Sequence, residues 1–291
     1  MSGKAWMTRK KPGIAGAAII ASMLGLAFEA PPSAIADTCV PGAPCDVKSG
    51  FYIAKPPEDW DGKRPLPMAL FFHGWQGSAE ATAGNRSLTE RFSDMGVLLV
   101  VPHGEGKTWS FPGSPSKNRD EVKFVRSVLD DVFARYPIDR EHVWATGFSL
   151  GGSMVWTLAC RMGAPFTAFV PVAGAFWDPI PDGCPAGPQN IRHIHGLSDK
   201  TVPLEGRYIR TIYKQSDVFD SFDRMKEVNE CGPQPTAFRE EGHLLCRTWD
   251  QCASGAVLEM CLHNGGHSIR SEWMNGAWSF VRNGKETAQP D

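Results

Sequence analysis

From Pro67 onward, short apolar runs alternate with stretches of helical periodicity, and this alternation constrains the chain more than any other feature. Met68 to Phe72, Val97 to Val101, His142 to Thr146, Phe169 to Val172 and Ile191 to Ile194 are runs rich in Val, Phe and Ile, as expected of strands buried on both faces. Between the second and third runs, Val122, Val125, Leu129, Val132 and Phe133 recur at three- and four-residue spacing. They predict an amphipathic crossover helix stopped by Tyr136-Pro137. Further helices are expected at Ser87 to Met95, Gly151 to Arg161, Val218 to Asn229 and Ser271 to Arg282. The fold class is therefore α/β: a mainly parallel sheet with helices on both faces.

A length of 291 residues, 42% of them hydrophobic, is enough for one substantial core, and no repeat or polar linker divides it. Residues 1 to 36 stand apart. Lys4, Arg9, Lys10 and Lys11 precede an apolar run from Ile14 to Phe28, and Ala34-Ile35-Ala36 follows it, the order of an export signal cleaved after Ala36. The apolar run is shorter than the roughly 20 residues of a spanning helix, so no stable membrane anchor is expected. The expected catalytic domain is residues 37 to 291. Without the leader, 26 basic residues face 31 acidic ones, a net charge of minus five with no basic run to bind nucleic acid.

All eight cysteines lie beyond residue 36, an even number in a chain bound for an oxidising compartment, secreted or periplasmic. The expected pairs are Cys39 with Cys45, Cys160 with Cys184, Cys231 with Cys252, and Cys246 with Cys261. The last pair has a geometric motive, because Leu244 to Trp249 and Ala256 to Leu262 read as two strands turned at Ala253-Ser254-Gly255, a register that sets Cys246 opposite Cys261. No paired ligand spacing suggests zinc, so no metal is expected.

Ligands of open α/β sheets bind beyond the carboxyl ends of the strands. After the run His142 to Thr146 comes Gly147-Phe148-Ser149-Leu150-Gly151-Gly152 and then a helix, the strand-turn-helix setting of a nucleophile elbow. Glycines flank the serine because a side chain at either position would strike neighbouring backbone. A serine hydroxyl needs a base, and the base needs an acid that fixes its tautomer; in this arrangement they follow in the order acid, then histidine. Asp199 is the expected acid, in the loop after Ile191 to His195, with Glu205 as fallback. Only His243, His263 and His267 follow Asp199. His243 falls early in its strand and His263 reads as a strand residue, which leaves His267 as the base.

The oxyanion of such a reaction needs two backbone donors, assigned to the amides of Leu150 and Trp75, the latter in the turn His73-Gly74-Trp75-Gln76-Gly77. His73 precedes the serine and is read as a loop hydrogen-bonding residue. Trp109, Phe176 and Trp177 follow strands and are candidates to bind a ring-bearing acyl group; capping the core is the equal alternative. The chemistry calls for no metal or organic cofactor.

Together, His73-Gly74-Trp75, the Ser149 elbow, His195-Gly196-Leu197-Ser198-Asp199 and Gly265-Gly266-His267 resemble the secreted polyhydroxybutyrate depolymerases and feruloyl or acetylxylan esterases, similar to carbohydrate esterase family one. The resemblance runs from about Val47 to Arg282 and implies the α/β-hydrolase fold. It also implies Ser149, Asp199 and His267 as a triad acting on a small or oligomeric ester, and it supports pairing Cys231 with Cys252. Two departures touch the substrate: Trp75 stands where depolymerase-like members often have Cys, and Ser268-Ile269-Arg270 replaces a Trp-Pro. With 24 residues after His267, a polymer-binding module is not expected, which favours a soluble ester or an oligomer over an insoluble polyester. The same three groups also serve peptidases and acyltransferases, whose acceptor is set by pocket shape, and a non-catalytic binding protein on this fold is the alternative from another class.

Overall fold

The computed structural model describes residues 39–283, so the expected leader lies outside the described residues. Twelve strands and six α-helices are distributed among them. The edge hairpin β1 (Pro44–Val47) and β2 (Gly50–Lys55) is followed by β3 (Leu66–Phe72), α1 (Ala79–Ala83), α2 (Arg86–Asp94), β4 (Leu98–Pro102), α3 (Glu121–Arg135) and β5 (Ile138–Phe148). Then come α4 (Leu150–Arg161), β6 (Ala168–Val172), β7 (Ile191–Gly196), the small hairpin β8 (Arg207–Ile209) and β9 (Tyr213–Gln215), and α5 (Val218–Val228). The chain closes with β10 (Ala237–Glu241), β11 (Leu244–Trp249), β12 (Leu258–His263) and α6 (Trp273–Asn283).

Ten strands form one sheet in the order β1-β2-β4-β3-β5-β6-β7-β12-β11-β10. The six central strands from β4 to β12 run parallel, and two antiparallel strands flank them on each side. Strands covered on both faces need apolar side chains at successive positions, which is why β4 and β6 are buried at every residue. One core holds the apolar sides of α3, α4 and α5, with Val125, Leu129, Met154 and Phe222 against one face. The opposite core holds α1, α2 and α6, with Leu88, Phe92, Trp273 and Phe280. This is the expected α/β fold with helices on both faces.

All four disulfides form with the expected partners. Cys246 and Cys261 face each other across β11 and β12, in the register expected from sequence. Glu259 lies close enough to Cys246 and Cys261 to make a metal-like cluster, but both sulfurs are committed to the disulfide.

Arg192 interrupts the apolar run of β7 and is fully buried. It bonds Glu259 of β12 and, at 2.8 Å, Glu241 of β10, while Arg239 reaches the other oxygen of Glu259 at 2.8 Å. The network joins the parallel centre to the antiparallel edge. Removing one member of a buried ion pair leaves an uncompensated charge, so Arg192→Met is expected to cost about 3–5 kcal/mol of stability. Chemical denaturation would measure it, and a loss below 1 kcal/mol would show that water reaches Glu259.

Candidate active site

The elbow begins where β5 ends. Ser149 has φ of 59° and ψ of −121°, a strained backbone conformation between strand and helix, held by its amide on the Val172 carbonyl at 2.9 Å. The carbonyl of Ser149 accepts the Ser153 amide at 3.0 Å, so the strained residue also caps α4. A Cβ on Gly151 would lie 2.0 Å from the Phe72 carbonyl oxygen, and one on Gly147 would lie 2.7 Å from that of Gly151. Glycine at both flanks is therefore a steric requirement, as the sequence suggests.

Three side chains distant in sequence meet above this turn. His267 Nε2 lies 2.8 Å from Ser149 Oγ, and His267 Nδ1 lies 2.7 Å from Asp199 Oδ2. The other carboxylate oxygen of Asp199 accepts the amides of Thr201 and Val202, both at 2.8 Å. Burial pushes the Asp199 carboxyl up, but the His267 hydrogen bond, followed by the amide of Val202 and then that of Thr201, outweighs it. The group is held below the ordinary carboxylate range and is ionised at neutral pH. Phe148 packs against the His267 ring at 4.7 Å. His263 closes β12, as expected, and its Nδ1 accepts the Gly265 amide at 3.0 Å, which shapes the turn carrying His267. His243 lies in the turn just before β11 rather than inside the strand.

The loop after β3 is fixed from beneath. Burial lowers the His73 pKa to about 4, so the ring is neutral; Nδ1–H donates to the Gly74 carbonyl at 2.8 Å and Nε2 accepts the Gly104 amide at 3.0 Å. The Gln76 amide bonds Lys107 and the Gly77 amide bonds Gly74. Neither the Trp75 amide nor the Leu150 amide has an acceptor among the described residues. Gly74 lies beside Ser149, where a Cβ would sit 3.5 Å from Ser149 Cβ in ordinary contact. Gly74→Ala is thus expected to fold normally, with an unchanged melting temperature. Its methyl group would crowd the space beside Ser149 and reduce kcat/KM by up to about a hundredfold. Full activity in that variant would place the reacting carbonyl elsewhere.

Trp109, Phe176 and Trp177 are buried in the core, and Phe176 and Trp177 also edge a small cavity of about 20 Å³ that is lined by none of Ser149, Asp199 and His267. Trp109 is fully buried, donates from its indole N–H to the His73 carbonyl at 2.8 Å and packs edge-on to Phe72. Phe176 lies against Trp156, and Trp177 against Phe111. The exposed ring near the serine is Trp75, at 68%. A cavity of about 470 Å³ runs alongside the site between Gly74, Phe148, Ile269 and Arg270. None of Phe148, Ile269 and Arg270 is among the expected substrate-binding residues, although Phe148 belongs to the elbow and Ser268-Ile269-Arg270 is the departure noted after His267. A larger cavity, about 630 Å³, lies between α3 and α4 near Lys117, Arg126 and Arg161 and includes none of the three central side chains.

Comparison with known proteins bears on this arrangement. The chain is 24% identical over 241 residues to feruloyl esterase B of Piromyces equi, covering 79% of this chain and 44% of that protein. It is 27% identical over 163 residues to feruloyl esterase C of Emericella nidulans, covering 53% of this chain and 57% of that one. The chain spans about half the length of the curated relatives it matches. An acetyl xylan esterase from Aspergillus awamori superposes with a TM-score of 0.56 at 11% identity, covering 80% of this chain and 94% of that structure. A Bacillus cereus carboxylesterase gives 0.52 at 14% identity, with 81% and 95% covered. No family model matches the chain. By sequence the chain is a distant homologue of the feruloyl esterases, and it is built on the α/β-hydrolase fold of its esterase neighbours.

Proposed function

We propose that this protein is an exported serine esterase that hydrolyses carboxylic esters through an acyl-enzyme, with Ser149, His267 and Asp199 as its triad. The observation that carries the reading is the unbroken line from Ser149 Oγ to His267 Nε2 at 2.8 Å and from His267 Nδ1 to Asp199 Oδ2 at 2.7 Å. Asp199, being ionised, keeps the proton of neutral His267 on Nδ1, so Nε2 presents its lone pair to the serine hydroxyl. As Oγ attacks the ester carbonyl, the Ser149 hydroxyl proton passes to His267 Nε2, and the negative charge on the former carbonyl oxygen falls within reach of the Leu150 and Trp75 amides. Collapse expels the alcohol, which takes the proton from Nε2. Water, deprotonated by the same nitrogen, then releases the acid and regenerates Ser149.

Export agrees with four disulfides in so short a chain and with the leader pattern before residue 37. The names of the relatives, feruloyl esterases B and C, point to feruloyl esters as substrates. The deciding experiment is labelling with a fluorophosphonate, read by intact-mass spectrometry, alongside turnover of nitrophenyl acetate, methyl ferulate and acetylated xylan. One label per chain, mapped to Ser149 and accompanied by loss of turnover, is the expected result. Ester turnover that persists in fully labelled protein would reject the serine mechanism.

A further inference from the structure

β7 carries histidine at alternate positions, His193 and His195, so both rings leave the same face of the sheet. Both are buried and joined ring to ring, His193 Nε2 to His195 Nδ1 at 3.0 Å. His195 Nε2 lies 2.8 Å from the Val202 carbonyl oxygen and 3.6 Å from Asp199 Oδ2, the same carboxylate oxygen that receives His267. A contiguous row thus runs from His193 through His195 and Asp199 to His267 and Ser149.

Proton positions in this row follow from elementary chemistry. A carbonyl oxygen only accepts, so His195 Nε2 carries hydrogen. Burial lowers the pKa of both imidazoles, which are therefore neutral at pH 7. A neutral ring protonated at Nε2 has a lone pair at Nδ1, and His193 Nε2–H fills it. Among the described residues His193 Nδ1, the remaining nitrogen, has no hydrogen-bond partner. In the opposite tautomer His195 would turn a lone pair toward both the Val202 carbonyl and the Asp199 carboxylate, so these two oxygens select the Nε2–H form.

We propose that His195 is a positioning residue for Asp199: its Nε2–H ties down the Asp199–Val202 turn and presents a positive edge to the carboxylate oxygen that orients His267, while His193 holds His195 in that tautomer. The turn matters because its Thr201 and Val202 amides grip the other carboxylate oxygen. The assignment rests on the triad reading above, and it gives a use to two buried polar rings where apolar side chains would fill the space without desolvation cost.

A double-mutant cycle tests it. His195→Leu, Asp199→Asn and the double variant are assayed for kcat and KM on nitrophenyl acetate, with thermal unfolding of each. His195→Leu is expected to lower kcat by about tenfold to a hundredfold at nearly constant KM, since a displaced base costs turnover rather than binding. In the Asp199→Asn background the same change should cost less than about twofold, because a residue acting through Asp199 has lost its target. His195→Gln, whose longer amide reaches toward the Val202 carbonyl, should recover most of the loss. Should the leucine variant fail to fold, His195→Asn, which keeps a polar atom for His193 but is too short for Val202, reads the same quantity. Equal losses in both backgrounds, or no loss in either, overturn the proposal. Wild-type turnover in Asp199→Asn alone would instead remove the triad reading, so the two failures are distinguishable.

Discussion

Ser149→Ala is expected to lower kcat by about a millionfold while leaving the fold intact, the scale on which a triad fails when its nucleophile is lost. Only Oγ is removed. The bonds that hold the elbow, from the Ser149 amide to Val172 and from its carbonyl to Ser153, are made by the backbone and survive the change. A φ of 59° strains alanine about as much as serine, so the melting temperature should move little. The residual rate should exceed that in water by about a thousandfold or more, since the Trp75 and Leu150 amides and the binding surface remain. Ester hydrolysis in the purified variants, assayed at high enzyme concentration, measures both quantities. Turnover above about a hundredth of wild type would mean that another group attacks the ester.

The sheet was legible wherever strands are covered on both faces, because burial there demands unbroken apolar runs. β3, β4, β6 and β7 fall within two residues of expectation at their starts, and α4 begins one residue early, at Leu150. Edges were harder to read. β10 is exposed at four of its five residues and its sequence, Ala-Phe-Arg-Glu-Glu, carries no alternation, so nothing in it marks a strand until β11 offers a partner. The hairpins β1–β2 and β8–β9 were missed because their strands are short and joined by tight turns, and β2 shows its burial, at Tyr52, Ile53 and Ala54, only once it pairs with β4. β5 begins at Ile138, earlier than expected, because its first five residues are only partly buried or exposed.

The centre of the site was legible because the chemistry restricts both residue type and chain order. Ser149, Asp199 and His267 each follow a strand end, and the structure brings them into hydrogen-bonding range. The surrounding aromatics were not legible, since a loop tryptophan can face either way and nothing local decides which. Trp109 turns inward because its indole N–H satisfies the His73 carbonyl, a bond between residues 36 apart that no sequence pattern announces. The His193 and His195 pair did leave a signal, two imidazoles at strand spacing, but its meaning depends on where Val202 and Asp199 return.

Asp199→Asn should lower kcat by about ten-thousandfold with little change in KM, through proton placement rather than lost contact. An asparagine can keep the bonds from Thr201 and Val202 on its carbonyl oxygen, which turns its NH2 toward His267 Nδ1. Nδ1 must then accept, the ring proton moves to Nε2, and Ser149 Oγ faces a donor that cannot take its hydrogen. Stability carries a separate sign. Because the folded-state pKa of Asp199 is depressed, its carboxylate contributes stability above the unfolded value near 4, and that contribution is lost as pH falls through the folded value. The wild type should therefore lose part of its stability advantage over Asp199→Asn on acidification below about pH 4, whereas the kinetic defect should be present at neutral pH. Denaturation midpoints at pH 7 and pH 3, set beside kcat at pH 7, separate the two effects. A variant with full kcat would leave His267 oriented by some other group, and Glu205, the remaining acid in the same loop, would be the next residue to change.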